Sequence, residues 1–219
     1  MPATRIVIAD DHPLFRDALR LTIAQGFPDV EIAEAHSFDS LRAQVEAAPE
    51  IDLVLMDLKM PGMQGLSGLL FMRAAFASVP VAIISAEERE GVVRRALRLG
   101  AVGYIAKSTS ADGIRAALTA LLSGGVWVPD ALDGKADDAA QDTTLSSRLS
   151  RLTPQQIRVL MMLSEGFPNK KIAHALSVSE ATAKAHVSAI LEKLEVENRT
   201  QAVILAREIA ALPELAPPT

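Results

Sequence analysis

The sequence predicts a doubly wound α/β domain built on a five-stranded parallel sheet, followed by a small all-α domain. Three observations carry that prediction. Short β-branched runs alternate with amphipathic stretches over roughly the first 125 residues, the pattern of strands joined by crossover helices. Pro129 to about Ser147 is rich in Asp, Ala, Gly, Ser and Thr with little apolar periodicity, as expected of a flexible linker. Beyond it only helical periodicity and cap signals recur.

The elements follow in order. Arg5–Ala9 is a β-branched run ending at Asp10-Asp11. His12-Pro13 opens a helix with Leu14, Phe15, Ala18, Leu19 and Thr22 on one face. Val30–Ala35 is the second strand. Phe38–Ala47 is helical, with Ser37 placed to cap it. Ile51–Met56 is the third strand: an apolar run, broken only by Asp52 and stopped by Asp57 and the Met60-Pro61-Gly62 turn, suits a strand covered on both faces. A helix follows from about Gly65 to Phe76. Pro80–Ile84 is the fourth strand and ends at Ser85. Arg89–Leu99 is helical and stops at Gly100, a C-cap residue. Val102–Ala106 is the fifth strand and ends at Lys107, and Ala111–Leu122 is a helix closed by Gly124-Gly125. Trp127, the one tryptophan, anchors the core or rim under that helix.

Composition sets bounds. A chain of 219 residues accommodates one large domain or two ordinary ones. Hydrophobic content of 49% with 22% charged residues is that of a globular chain. Without cysteine there are no disulfides and no thiolate metal sites. No apolar run approaches the length of a membrane span, and Met1–Arg5 leads into a strand without a signal-peptide core; a cytoplasmic protein with no membrane partner is expected. Net charge is −5, unevenly spread: residues 1–147 carry 13 Lys+Arg against 20 Asp+Glu, and residues 148–212 carry 9 against 6. An acidic half joined to a mildly basic half suggests two modules with different partners.

The chemistry collects at the strand ends. The first strand offers Asp10 and Asp11, the third Asp57, the fourth Ser85 and the fifth Lys107. In a sheet ordered 2-1-3-4-5, strands one and three meet at the topological switch point, so three carboxylates converge. Like charges so close repel unless a cation joins them. An all-oxygen set suits Mg2+. A metal-held carboxylate beside an ammonium and a hydroxyl is equipped to receive a phosphoryl group, whose charge the cation and Lys107 neutralise. Singly, each residue has a plainer explanation: the acid pair and Ser85 as helix caps, Lys107 as a surface lysine. Four strand ends delivering acid pair, acid, hydroxyl and lysine argue against coincidence. His12, His36 and His174 lack partners at metal-ligand spacing.

Residues 5–129 resemble the flavodoxin-like receiver domain of bacterial two-component response regulators. The resemblance rests on Asp10-Asp11, Asp57 followed by Met60-Pro61-Gly62, Ser85, Lys107 and the segment from Gly100 to Lys107. It implies that Asp57 accepts phosphate from a sensor histidine kinase. It also implies that Asp10, Asp11, Asp57 and the Lys59 backbone carbonyl surround Mg2+, with Asp11 as a direct ligand. Ser85 would bond the phosphoryl group, and Tyr104 would change rotamer with it. Many receivers carry proline after the lysine; here Ser108 stands there, which disfavours a cis peptide.

In the second module Thr153-Pro154-Gln155-Gln156 has the pattern of a capping box, and Gly166-Phe167-Pro168 ends the helix it opens. Asn169 caps a short helix through Leu176. Ser177-Val178-Ser179 connects it to a longer one, Glu180–Leu194, capped by Ser179, and Arg199 or Thr200 starts a last helix through about Leu212. Two helices joined this tightly, the second longer, describe a helix-turn-helix. On the longer helix Ala181, Lys184, Ala185 and Ser188 share an outward face; Ala183, Val187, Ile190, Leu191 and Leu194 face inward. Small residues let a helix descend into the major groove, and Lys184 suits a phosphate or a guanine edge. Thr182, Asn169, Lys170, Lys171 and Arg199 are further contact candidates. A four-helix interaction domain with a solvated lysine face is the plainer alternative.

Residues 152–206 resemble the LuxR-type domain of the NarL/FixJ subfamily, on Leu152-Thr153-Pro154, Gly166, Asn169-Lys170, Ile172-Ala173, Thr182–Val187 and Asn198–Ala202. The resemblance implies base and phosphate contacts at Lys184, Ala185 and Ser188. The family often has Glu where Gln156 and Lys171 stand, and a basic residue at Ser188. His186 matches a common family histidine with a packing role.

The expected function is a DNA-binding transcriptional response regulator rather than an enzyme. The expected domains are 1–129, a linker 130–147, a DNA-binding domain 148–212 and a tail 213–219. Expected partners are double-stranded DNA, a sensor histidine kinase, a second copy once phosphorylated, and RNA polymerase. The alternatives are a regulator switched by protein contact and an aspartate-nucleophile phosphatase. The phosphatase wants a second acid where Lys59 stands.

Overall fold

Residues Arg5–Ala9 (β1), Glu31–Ala35 (β2), Leu53–Met56 (β3), Val81–Ser85 (β4) and Gly103–Ala106 (β5) form one parallel sheet in the order β2-β1-β3-β4-β5. β1 and β3 are neighbours, with Ala9 opposite Met56, as expected at the switch point. In this computed structural model the described residues are 4–48, 50–63, 65–129, 145 and 147–210. The linker expected over 130–147 lies almost wholly outside them, as does the tail 213–219.

Every residue of β3 and β4 is buried, which explains their near-continuous apolar sequence. Ile6, Ile8, Leu53, Leu55, Ala82, Ile84 and Ile105 form one sheet-side layer of the core. Helices Pro13–Gly26 (α1) and Ala111–Leu122 (α5) cover it with Leu19, Ile23, Ile114, Ala117, Leu118 and Leu121. Full burial of each of these leucine and isoleucine side chains contributes about 1.5–3 kcal/mol. The remaining helices between the strands along the chain are Phe38–Ala47 (α2), Ser67–Ala75 (α3) and Glu90–Arg98 (α4). Ser37 caps α2 as expected, and Gly100, at φ 93°, closes α4 through a conformation glycine tolerates.

The phase of α1 differs from the expectation. Leu14 is 86% exposed and Ala18 also faces solvent. Pro13 occupies the first turn, and the covered stripe runs through Phe15, Leu19, Thr22 and Ile23 instead.

Trp127 packs against the core and also extends the sheet. It bridges Gly103 in parallel, its carbonyl accepts the Tyr104 N–H at 2.9 Å, and its N–H reaches Val102 O at 3.4 Å. A Cβ on Gly103 would stand 2.9 Å from Leu121 Cδ2 and 3.0 Å from the Trp127 carbonyl, so only glycine allows this approach.

The C-terminal helices are Pro154–Ser164 (α6), Asn169–Leu176 (α7), Glu180–Leu194 (α8) and Arg199–Ala210 (α9). The capping box is present: Thr153 Oγ1 accepts the Gln156 N–H, and Gln156 Oε1 accepts the Thr153 N–H at 3.0 Å and a Lys193 Nζ bond at 2.8 Å. Asn169 is not the cap of α7. Pro168 holds that position, and Asn169 is the first helical residue, its side chain engaged elsewhere. Among the described residues two compact units result, one from those up to 63 and over 76–129, the other from 65–75 and those from 145 to 210.

Candidate functional site: an acidic cluster and a helix-turn-helix face

The ladder continues one residue past the strands. The Asp10 N–H donates to Ala35 O at 3.0 Å, the Asp57 N–H to Ala9 O at 2.8 Å, and the Lys107 N–H to Ser85 O at 2.8 Å. These bonds set Asp10, Asp57, Ser85 and Lys107 along the carboxyl edge of the sheet. Asp10, Asp57 and Ser85 are nearly inaccessible, at 0%, 2% and 1% exposure.

Lys107 Nζ lies 2.6 Å from Asp10 Oδ2 and 2.8 Å from Asp57 Oδ2, and 4.7 Å from the Phe15 ring centre. Burial works against its charge, but the bonds to Asp10 and Asp57 outweigh this and hold the ammonium above the usual lysine range. Asp57 Oδ1 accepts the Leu58 N–H at 2.7 Å, and Asp10 Oδ1 accepts the His12 N–H at 2.8 Å.

Asp10, Asp11, His12 and Asp57 present ligand atoms all within 4.8 Å of one another. His12 therefore does have neighbours, contrary to the expectation from spacing: its Nδ1 is 2.8 Å from Asp11 Oδ1 and 3.5 Å from Asp10 Oδ1. Those two neighbours adjoin it in the chain, and the sheet brings Asp57 to the same place. Three carboxylates meet there, and the one lysine pairs with only two of them, Asp10 and Asp57. This oxygen-rich, negatively charged set fits a hard divalent cation. Lys59 is exposed in the turn two residues beyond Asp57, ahead of Gly62 at φ 88°.

The loop after β4 joins Ser85 to Tyr104. Ser85 Oγ accepts the Glu87 N–H at 3.3 Å, and the Tyr104 hydroxyl donates to the Glu87 carbonyl. Tyr104 is fully buried, and that burial raises its phenol above the usual range. The Glu87 carboxylate accepts from the Arg89 side chain and from the Arg89 N–H at 3.0 Å; the guanidinium bond holds it below the usual carboxylate range. Ser108 Oγ donates to Glu88 Oε1 at 2.6 Å, and no peptide bond among the described residues is cis. No pattern in the sequence singled out Glu87, Glu88 or Arg89.

In the C-terminal unit, α7 and α8 are joined by Ser177-Val178-Ser179, with Ser177 left-handed at φ 53°. Ser179 Oγ caps α8 by accepting the Thr182 N–H at 3.0 Å, and the two hydroxyls share a bond of 2.8 Å. Ala181, Lys184, Ala185 and Ser188 are exposed together, while Ala183, Val187, Ile190 and Leu194 are buried. Leu191 is half-buried rather than core. Lys170 is exposed, and Lys171 Nζ stands 3.5 Å over the Phe167 ring. The guanidinium of Arg199 donates to Asn169 Oδ1 at 3.0 Å and to the Phe167 carbonyl. Two contact candidates are thus bonded to each other at the start of α7.

Residues 6–119 match the family described as response regulator receiver domain, and residues 150–206 match bacterial regulatory proteins of the luxR family. The chain is 41% identical to a glycerol metabolism activator of Pseudomonas putida over 211 residues, covering 94% of this chain and 96% of that protein. It is 32% identical to the nitrate/nitrite response regulator protein NarL of Escherichia coli K12, covering 93% and 94%. Its fold is similar to that of RcsB from Salmonella typhimurium, with a TM-score of 0.56 at 23% identity over 93% of this chain and 98% of that one. A structure of an RcsB–DNA complex gives the same TM-score, 0.56, at 22% identity over 94% and 98%.

Proposed function

Because the chain belongs to the response regulators that join a receiver domain to a LuxR-type DNA-binding domain, a family of transcription regulators rather than enzymes, we propose that Asp57 is its phosphoacceptor. The observation that carries this is the buried Asp57 carboxylate held 2.8 Å from Lys107 Nζ beside Asp10. One carboxylate oxygen attacks phosphorus, the P–N bond of a kinase phosphohistidine breaks, and the electron pair stays with the imidazole. The product is an acyl phosphate on Asp57. Lys107 offsets charge on the transferred group. Asp10, Asp11, Asp57 and the Lys59 carbonyl would hold Mg2+, which supplies further neutralisation of that charge when bound.

Ser85 then hydrogen-bonds the phosphoryl group, and Tyr104, linked to it through Glu87, follows. The sensor histidine kinase as donor fits this chemistry. Lys184, Ala185 and Ser188 face the major groove of double-stranded DNA, with Thr182, Asn169, Lys170 and Arg199 at or behind the backbone contacts. Homodimers formed on phosphorylation would read half-sites about one helical turn apart, with RNA polymerase as the next partner. The receiver would run over 1–129, the linker over 130–147, the DNA-binding domain over 148–212 and the tail over 213–219. No helix among the described residues is long and apolar enough to cross a membrane, which agrees with a cytoplasmic site of action.

The test is labelling from a radioactive small phosphodonor, acetyl phosphate, with Mg2+. Wild type should take up label that alkali and hydroxylamine release, and Asp57→Asn should take up none. Retained label in the variant would contradict the assignment.

A further inference from the structure

Arg16 reaches from α1 to the base of the acidic cluster. Its side chain is 17% exposed. Nη1 donates to the Asp10 carbonyl at 2.8 Å, and Nε donates to Glu34 Oε2 on β2 at 2.7 Å. Glu34 has a second cation, Arg20, whose Nε is 3.5 Å from Oε1. The Asp10 N–H is already tied to Ala35 O at 3.0 Å. Asp10 is therefore held at both of its backbone groups, one by β2 and the other by a guanidinium that β2 itself anchors.

The peptide plane between Asp10 and Asp11 contains the carbonyl that Arg16 grips. Its orientation sets where both carboxylates point. Asp11 needs this most, since it is only half-buried and the neighbour at its Oδ1 is the exposed His12, whose Nδ1 is 2.8 Å away. A rigid planar fork bonds a carbonyl and a carboxylate together; the single ammonium of a lysine cannot reproduce both.

We propose that Arg16 is a positioning residue for the acid pair: through the Asp10 carbonyl it aims Asp10 and Asp11 at a divalent cation. This rests on the reading of the cluster as a Mg2+ site. Charge alone predicts the reverse effect, because Arg16 is a cation and its removal should draw Mg2+ in. The sign of the change therefore separates positioning from simple electrostatics.

The experiment is calorimetric titration of the unphosphorylated full chain with MgCl2, without phosphodonor, alongside thermal unfolding in chelator. Arg16→Ala should bind Mg2+ about tenfold more weakly, the scale typical of lost outer-shell support. Arg16→Lys should fall between it and wild type. Arg20→Ala, which removes the same charge from Glu34 but no bond from Asp10, should bind as wild type or slightly tighter. Should Arg16→Ala fail to fold, Arg16→Lys keeps the charge but loses the fork, and should still bind Mg2+ more weakly than wild type. Unchanged or tighter binding in a folded Arg16→Ala, or in Arg16→Lys when Arg16→Ala does not fold, overturns the proposal, as does equal weakening in Arg20→Ala. Absence of Mg2+ binding in wild type overturns the metal reading itself, a result distinct from the others.

Discussion

The ammonium of Lys107 stands 2.8 Å from Oδ2 of Asp57, a carboxylate that is 2% exposed, and 2.6 Å from Asp10 on its other side. One cation thus separates two buried acids that would otherwise repel.

Lys107→Met leaves those acids facing each other. Removing one partner of a buried pair costs on the order of 3 kcal/mol, so the variant should melt well below wild type in chelator. Mg2+ should then stabilise the variant more than wild type, because it restores the missing countercharge. Thermal unfolding with and without Mg2+ checks this; equal Mg2+ shifts in the two proteins would contradict it.

Glu87 gives a pH dependence of definite sign. Its folded pKa lies below the ordinary 4.5 because Arg89 hydrogen-bonds the charged form. The stability it contributes is present above that ordinary value and lost as pH falls through the lower folded one. Glu87→Gln should therefore be less stable than wild type at neutral pH, with the gap closing in acid. Urea unfolding across that range, both proteins side by side, measures it. A gap that persists in acid argues against the pair.

Arg199 and Lys170 should part company. Arg199 is bonded to Asn169 and Phe167, so Arg199→Ala should lower stability by about 1.5–3 kcal/mol as well as DNA affinity. Lys170 is exposed; Lys170→Ala should leave the melting temperature in place and reduce the salt slope of DNA binding by about 0.9 if it meets a phosphate. Melting curves together with salt-dependent binding isotherms separate the two roles.

Gly103→Ala forces a methyl group to 3.0 Å from the Trp127 carbonyl. The expected cost is about 1–3 kcal/mol, with a red shift in emission from the only tryptophan as its ring leaves the core. An unshifted spectrum at full stability would show that the bridge is dispensable.

The strands were legible in the sequence because they are short, apolar and punctuated, and the cluster of Asp10, Asp11, Asp57 and Lys107 followed on the supposition of a 2-1-3-4-5 order, which the structure has. Their ends can be read as a row once the order is known. The capping box at Thr153 and Gln156 was legible for the same local reason. What escaped depends on three-dimensional phase or on long side chains. α1 starts at Pro13 as read, but its covered stripe is centred on Leu19 and Ile23, which leaves Leu14 in solvent. Arg16, Glu87 and Arg199 act through bonds spanning 6, 17 and 30 residues, which no local pattern announces. Asn169 reads as a cap by residue type, yet its carbonyl oxygen is taken by Arg199.

Trp127 has one more effect. By taking up the Tyr104 N–H and the Val102 carbonyl it occupies the outer rim of β5, where a foreign strand could otherwise add. The opposite rim, β2, carries the exposed Glu31, whose charge discourages the same intrusion. A sheet guarded on both flanks resists runaway fibril growth. Any pairing of two copies must then be built by side chains meeting side chains rather than by lengthening the sheet.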